Sequence, residues 1–132
     1  MNARALLEAQ ASARQREAAD PQASAWVAAS AGSGKTKVLA DRMLSLMLAG
    51  VGPTRLLCLT FTKAAAAEMA NRIQRILPNA AIEDDAALDR RLRDLLGRAA
   101  SESARARARA LFARVLDAPG GLKVMTLHAF CQ

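Results

Sequence analysis

Two glycines, a lysine and a threonine have the spacing that a phosphate-binding loop requires. Gly32, Gly34, Lys35 and Thr36 lie in the stretch Ala-Ser-Ala-Gly-Ser-Gly-Lys-Thr, residues 29–36. Glycine lets the backbone turn tightly, so that successive amide N–H groups can point at phosphate oxygens. The lysine ammonium suits the outer phosphates, and the threonine hydroxyl can bind Mg²⁺. The pattern predicts a nucleotide site with Lys35 and Thr36 as its catalytic pair and Thr36 as a Mg²⁺ ligand.

The whole loop is expected to contact the nucleotide, although its first position departs from the usual pattern. Ala29 stands where that pattern has glycine. A chance Gly-Ser-Gly between a strand and a helix is the alternative interpretation, but the Lys-Thr pair and the flanking elements are in register with a true loop. The expected nucleotide contacts are Ala29, Ser30, Ala31, Gly32, Ser33, Gly34, Lys35 and Thr36.

A phosphate-binding loop needs a strand before it and a helix after it. The short apolar run at 24–28 predicts the strand. Residues 36–48 predict the helix, with one apolar face formed by Leu39, Met43, Leu46 and Met47. The helix would add the positive end of its dipole to the phosphate site.

Another helix is expected before this strand. Residues 5–19 are strong helix formers, and Asp20 and Pro21 end the run. Gln15 lies in this helix, and its amide offers both the donor and the acceptor needed to read an adenine edge. On these residues alone, a solvent-exposed helical glutamine is the better interpretation.

The middle of the chain predicts a second strand and helix. Residues 55–61 form a nearly continuous apolar run, which is typical of a parallel strand buried on both faces. Thr62 is expected to cap a helix over 63–77, and Pro78 is expected to end it.

The last third predicts a helical hairpin followed by a strand. Two amphipathic helices are expected within 79–117, with a break near Gly97 and a cap at Ser101. The arginines of the second helix are expected to form a solvated face rather than a nucleic-acid surface. A third strand is expected at 122–127. Two right-handed β-α-β crossovers follow, which give an α/β fold with a parallel sheet covered by helices on both faces.

The charge balance favours an anionic partner only modestly. The formal net charge is +7, from 19 Lys and Arg against 12 Asp and Glu. The excess lies in residues 1–78, with ten basic and five acidic side chains, whereas residues 79–117 have eight and seven. Cys58 and Cys131 have no metal-site or disulfide spacing, so reduced thiols are expected. Without a signal-peptide pattern or a membrane-spanning run, we expect an intracellular protein with no membrane partner.

Four separated stretches resemble motifs of the UvrD/RecB-type superfamily 1 DNA helicases. Gln-Arg-Glu-Ala at 15–18 resembles the Q motif, and residues 29–36 resemble the phosphate loop, in which this family also tolerates alanine first. Leu-Thr-Phe-Thr-Lys-Ala-Ala-Ala-Ala-Glu-Met at 59–69 resembles motif Ia, and Thr-Leu-His-Ala-Phe-Cys-Gln at 126–132 resembles motif Ib. The long helical insert between motifs Ia and Ib resembles that of the RecB/AddA branch, which includes bacterial double-strand-break repair helicase-nucleases, rather than the shorter spacing of the UvrD/Rep branch.

The resemblance implies a partial RecA-like P-loop NTPase domain that uses ATP and Mg²⁺. Its parts would be a Q-motif helix at 1–23, the phosphate loop and motif Ia at 24–78, a helical insert at 79–118 and motif Ib at 119–132. It makes adenine reading the favoured role of Gln15. It also implies DNA contacts by Thr60, Phe61, Thr62, Lys63, Thr126 and His128.

Two of these DNA contacts have an alternative role that the residues leave open. Phe61 could stack on a base or pack in the core, and His128 could contact DNA or cap a helix. Thr60 and Thr62 offer hydroxyls, and Lys63 a charge, to the phosphates of a single strand.

The expected function is ATP-driven translocation on single-stranded DNA and duplex unwinding in double-strand-break repair, in the bacterial cytosol. A second, AddB-like helicase-nuclease subunit is the expected partner. The sequence lacks an Asp-Glu Walker B pair, an arginine finger and a nuclease carboxylate cluster, so we expect an N-terminal fragment that is inactive alone. The alternatives are a UvrD/Rep-type helicase without nuclease, another P-loop NTPase or nucleotide kinase, and a truncated chain that binds nucleotide weakly or does not fold stably.

Overall fold

A computed structural model describes residues 2–30, 32 and 34–132 of the chain. Helices predominate, and a small parallel sheet joins two of the motif-bearing segments. The elements in chain order are α1 (Ala3–Ala18), α2 (Lys35–Leu48), a 3₁₀ turn (Pro53–Arg55), β1 (Leu57–Thr60), α3 (Lys63–Ile82), α4 (Asp85–Leu96), α5 (Glu102–Asp117), β2 (Lys123–Thr126) and α6 (Leu127–Phe130).

β1 and β2 pair in parallel across a long helical crossover. Leu57 is paired with Lys123 at one end of the register, and Thr60 is paired with Thr126 at the other. The chain between the strands forms α3, α4 and α5. Parallel pairing places the carboxyl ends of both strands at the same edge, where open α/β sheets bind ligands.

The core lies where α2, α3, α4 and α5 meet the sheet. Met47, Met69, Ile73 and Leu88 are its largest fully buried side chains. Cys58 of β1 is also buried, and burial raises the pKa of its thiol above the ordinary value. The core therefore holds the crossover against the sheet and against the helix that begins at the phosphate loop.

The strand predicted at 24–28 is not formed in the structure. These residues are exposed and have no ladder partner, because the sheet of the described residues contains β1 and β2 alone. A strand requires hydrogen bonds from a neighbouring strand, and local sequence cannot provide them. The prediction of two crossovers is wrong for the same reason, and one is present.

β1 is buried on one face rather than on both. Cys58 points into the core, whereas Leu57 and Leu59 are 44% and 38% exposed. The helices of the described residues therefore cover one face of this strand. The apolar run predicts burial of both faces, but here it leaves one of them open.

Two predictions about helices are corrected by packing. Pro78 does not end α3, which continues to Ile82. Burial of Leu77 and Ala80 on either side of the proline stabilises the continuation despite the missing N–H. Leu39, predicted on the apolar face of α2, is 45% exposed.

The helical insert has the predicted break and cap. Gly97 ends α4 in a left-handed conformation with φ +71°, where glycine has no Cβ penalty. The Ser101 hydroxyl accepts a hydrogen bond from the Ala104 N–H and caps α5. None of the described helices is long and apolar enough to cross a membrane.

Arginines of α5 hold the two insert helices together. Arg105 lies 3.0 Å from the Asp89 carboxylate, and Arg109 lies 2.6 Å from that of Asp85. The predicted solvated face is thus formed by Arg107 and Arg114, which are exposed, whereas Arg105 and Arg109 are engaged within the protein.

Candidate functional site

The phosphate loop meets α2 at a left-handed glycine. Gly34 is the N-cap of α2 with φ +85°, and Gly32 has φ +78°. Other residues rarely adopt such angles, which explains the two glycines. Gly34 contributes no side-chain cap, so the N–H groups of the first turn lack the partner that a capping side chain would supply. The end of the loop is thus a backbone arrangement suited to an anion.

Lys35 is the first residue of α2, and its side chain returns to the start of the loop. Its Nζ donates a hydrogen bond to the Ala29 carbonyl oxygen at 2.8 Å. The side chain is exposed, so the ammonium can exchange this carbonyl for a phosphate oxygen. Thr36 follows in the first turn and is half-buried. Ala31 and Ser33, two of the predicted nucleotide contacts, lie outside the described residues.

Gln15 lies beside the phosphate loop, twenty residues before Lys35 in the sequence. A Cβ placed on Gly34 would be 3.0 Å from Gln15 Nε2. The side chain is half-buried rather than free in solvent. The fold thus brings together two of the predicted nucleotide-site segments, the Q-motif-like residues and the loop.

A cavity of about 610 Å³ opens between α1, residues 23–29 and the start of α2. Gln15, Ala29 and Lys35 all line it. Its size falls within the range of small-molecule sites, roughly 300–1,000 Å³. Trp26 also lines it and is 95% exposed, because the segment that carries it is unpaired.

The residues present fit a nucleotide triphosphate with its metal. The helix N-terminus and Lys35 provide complementary charge for phosphates, and the Thr36 hydroxyl is of the ligand type that Mg²⁺ accepts. Among the described residues, no group of three His, Cys, Asp or Glu side chains could hold a metal ion by itself.

Two residues predicted to contact DNA lie at the junction of β1 and α3. Thr62 caps α3, since its hydroxyl accepts a hydrogen bond from the Ala65 N–H at 3.1 Å. Thr60 donates its hydroxyl to the Thr62 carbonyl oxygen at 3.0 Å. Both hydroxyls therefore shape the strand-to-helix turn.

Phe61 and Lys63 of the same turn point into solvent. The Phe61 side chain is 92% exposed, so packing in the core of the described residues is not its role. Lys63 is the first residue of α3 and is also exposed. An exposed aromatic ring next to a cation is a suitable arrangement for a base and its phosphate.

Thr126 and His128 lie at the neighbouring strand end. Thr126 caps α6 by accepting a hydrogen bond from the Ala129 N–H at 3.1 Å. His128 lies within α6, is exposed, and has its Nε2 3.0 Å from Gln132 Nε2. The capping role considered for His128 thus belongs to Thr126, and the imidazole remains accessible.

Arg42 is a residue that sequence reasoning missed. It lies on α2 and donates hydrogen bonds to backbone carbonyls at the end of α1 and in the turn that follows it. Backbone carbonyls have no sequence signature, and an arginine in a helix predicts only a solvated side chain. Only the packing of α1 against α2 in the structure reveals this contact.

A family model for the UvrD/REP helicase N-terminal domain matches residues 11–132. The chain belongs to this family. The resemblance of its motifs to the UvrD/RecB-type helicases is thereby confirmed.

Curated relatives of this UvrD/REP family chain are named as ATP-dependent helicase/nuclease subunits. The protein of Ligilactobacillus salivarius is 38% identical over 119 residues, which is 90% of this chain and 8% of that protein. That of Latilactobacillus sakei subsp. sakei is 39% identical over 105 residues, or 80% of this chain and 10% of the relative. That of Levilactobacillus brevis is 59% identical over 51 residues, which is 39% of this chain and 4% of the relative.

The chain thus spans a tenth or less of the length of these relatives. No solved structure shows a significant match to it.

Proposed function

We propose that the chain forms the nucleotide-binding part of an ATP-dependent DNA helicase, in a helicase-nuclease of the AddA type. The complete protein would couple ATP hydrolysis to movement along single-stranded DNA and to duplex unwinding in double-strand-break repair. The names of the curated relatives support the helicase and nuclease assignment. The family match supports the helicase assignment independently.

One observation carries the nucleotide assignment. A left-handed Gly34 opens α2 directly before Lys35 and Thr36, and the Gln15 amide lies against the same glycine. The proposed phosphate site and the candidate adenine reader are therefore adjacent, although they come from separate helices. A plain strand-turn-helix connection would not require this neighbour.

Different residues of the proposed site bind the phosphates, the adenine and the metal of ATP. Loop N–H groups and the Lys35 ammonium bind the phosphates, and Gln15 reads the adenine edge with its amide. The Thr36 hydroxyl holds Mg²⁺, which neutralises phosphate charge when bound. For the complete domain we expect a RecA-like P-loop fold.

The edge formed by the two strand ends is proposed to bind single-stranded DNA. Thr60, Thr62 and Thr126 shape two strand-to-helix turns that present Phe61 and His128 to solvent. Phe61 would stack on a base, while Lys63 and the first-turn N–H groups would contact phosphates. ATP-dependent movement of another lobe past this edge would advance the strand.

The remaining assignments are proposed from the relatives. The partners are single- and double-stranded DNA and a second, AddB-like helicase-nuclease subunit. The site of action is the bacterial cytosol. A repair helicase without a nuclease is the second candidate, and the words helicase/nuclease in the relatives' names favour the first.

Substitution of Lys35 in the complete protein tests the proposal. We expect Lys35→Ala to lower ATP hydrolysis about 100-fold or more, as loss of one preorganised electrostatic contact does. Lys37→Ala is the matched control, since Lys37 lies two positions further along α2 and pairs with Asp41 at 2.5 Å. Wild-type turnover in the Lys35 variant would reject the phosphate-loop assignment.

A further inference from the structure

Arg42 joins α2 to the end of α1 through backbone carbonyls. Its Nη1 donates to the Asp20 oxygen at 2.8 Å and to the Ala18 oxygen at 3.2 Å. Its Nη2 donates to the Ala23 oxygen at 2.5 Å. One guanidinium therefore binds the carbonyl oxygen of the last residue of α1 and two carbonyl oxygens of the turn that leads to the phosphate loop.

This link matters because α1 has little apolar anchorage. No residue of α1 is buried, and Leu6 and Leu7 are 44% and 66% exposed. The nearest buried residue is Ala19, directly after the helix, which is 2% exposed. Burial of apolar area thus contributes little to holding the helix in position, so hydrogen bonds must provide much of the stabilising free energy.

The same two helices carry the parts of the nucleotide site. Gln15 lies in the last turn of α1, and Gly34 lies at the start of α2. Arg42 lies on α2 as well, so it fixes the helix that carries the amide to the helix that carries the loop. Residues 18–23, which it holds, also lead into the segment that lines the cavity.

We propose that Arg42 is a positioning residue for nucleotide recognition, which keeps the Gln15 amide beside Gly34. This inference rests on the proposed function of the site. Arg42 touches neither of these residues in a hydrogen bond, and it acts by holding α1.

The contact requires arginine rather than any cation. A planar guanidinium carries five donors in a fixed fork, whereas an ammonium is a single point from which three rotating donors emerge. Among the described residues, Arg42 forms no ion pair, and the neighbouring Asp41 pairs with Lys37 instead. The charge of Arg42 is therefore directed at carbonyl dipoles, where donor geometry decides the outcome.

The test compares Arg42→Ala with wild type in the complete protein, with ATP and with GTP as substrates. We expect the KM for ATP to rise about tenfold, as loss of hydrogen bonds to a charged group predicts. We expect kcat to change little and the preference for ATP over GTP to fall. Arg42→Lys should show a smaller shift in the same direction. Arg75→Ala is the matched control, because Arg75 is an exposed arginine on α3.

Two further measurements separate positioning from general destabilisation. Amide hydrogen exchange across α1 should be faster in Arg42→Ala than in wild type, while exchange in the α3 core remains slow. In the double variant with Gln15→Ala, the ATP preference should be no lower than with Gln15→Ala alone, since both changes remove one interaction. If Arg42→Ala does not fold, Arg42→Lys provides the same comparison.

Certain results would overturn the inference. These are a wild-type KM and ATP preference in the Arg42 variants, an equal loss with ATP and GTP, or faster exchange in α1 with unchanged preference. ATP hydrolysis at the wild-type rate by Lys35→Ala would instead refute the proposed nucleotide site. The two failures are therefore distinguishable.

Discussion

Thr60 and Thr126 are register partners at the carboxyl ends of β1 and β2. Each is engaged in the turn that follows its strand, Thr60 as a donor to Thr62 and Thr126 as an acceptor from Ala129. The pairing brings two segments 66 positions apart in sequence to one edge. A single stretch of nucleic acid backbone could therefore contact both.

Loss of the Thr126 hydroxyl should loosen α6 and weaken DNA binding. Thr126→Ala removes an N-cap, a change that costs about 1 kcal/mol, so the amides of α6 should exchange faster. Thr126→Ser keeps the cap and should retain wild-type exchange and affinity for single-stranded DNA. Equal weakening of DNA binding by both substitutions would contradict a capping role.

Removal of the Phe61 ring should affect DNA-stimulated hydrolysis more than basal hydrolysis. The ring is 92% exposed, so Phe61→Ala loses no core packing within the described residues. A lost stacking contact corresponds to about 1–3 kcal/mol in affinity for single-stranded DNA. ATP turnover measured with and without oligonucleotide provides the comparison.

A matched control for Phe61 separates stacking from apolar contact. Phe61→Leu keeps apolar volume without an aromatic face and should resemble Phe61→Ala. Ile82 is 81% exposed at the end of α3, and Ile82→Ala should leave both activities at wild-type values. Equal loss of basal and stimulated hydrolysis in Phe61→Ala would indicate a structural role instead.

Gln15→Ala should reduce the preference for ATP over GTP. The amide supplies a donor and an acceptor, and adenine and guanine differ in the pattern that they present to such a pair. Loss of these hydrogen bonds should raise the KM for ATP about fivefold to tenfold and change that for GTP less. The measurement is kcat/KM for both nucleotides. Gln10→Ala, which removes an exposed glutamine of the same helix outside the cavity lining, is the control, and an unchanged nucleotide ratio in Gln15→Ala would return Gln15 to a surface role.

The helical insert should lose stability in acid. The hydrogen bond from Arg91 lowers the pKa of Glu83, and that from Arg109 lowers the pKa of Asp85. Because these pKa values are lower in the folded protein than in the unfolded one, the pairs contribute stability above the ordinary carboxyl values. That contribution is lost as the pH falls through the folded values.

The thermal unfolding midpoint measured between about pH 5 and pH 2 tests this dependence. Asp85→Asn should lower the midpoint at the upper end of this range and reduce its acid dependence. Asp94→Asn is the control, since Asp94 is an exposed carboxylate on the same helix. Identical pH profiles for wild type and Asp85→Asn would show that the Arg109 pair contributes nothing.

The sequence determined the features that depend on a few adjacent residues. The loop glycines, the start of α2, the caps at Thr62 and Ser101 and the break at Gly97 all follow from local backbone preferences. Motif order also predicted the family, which the family match confirms. Local steric and hydrogen-bonding rules suffice for such features because their partners lie within a few positions.

Only the tertiary structure decided what depends on distant partners. Residues 24–28 have strand-like sequence but remain unpaired, since pairing needs a neighbouring strand. Pro78 remains inside α3 because Leu77 and Ala80 pack in the core. The approach of Gln15 to Gly34 and the carbonyl contacts of Arg42 arise from the packing of α1 on α2. Backbone carbonyls and helix faces carry no signal of their future neighbours, and so the sequence alone could not reveal these contacts.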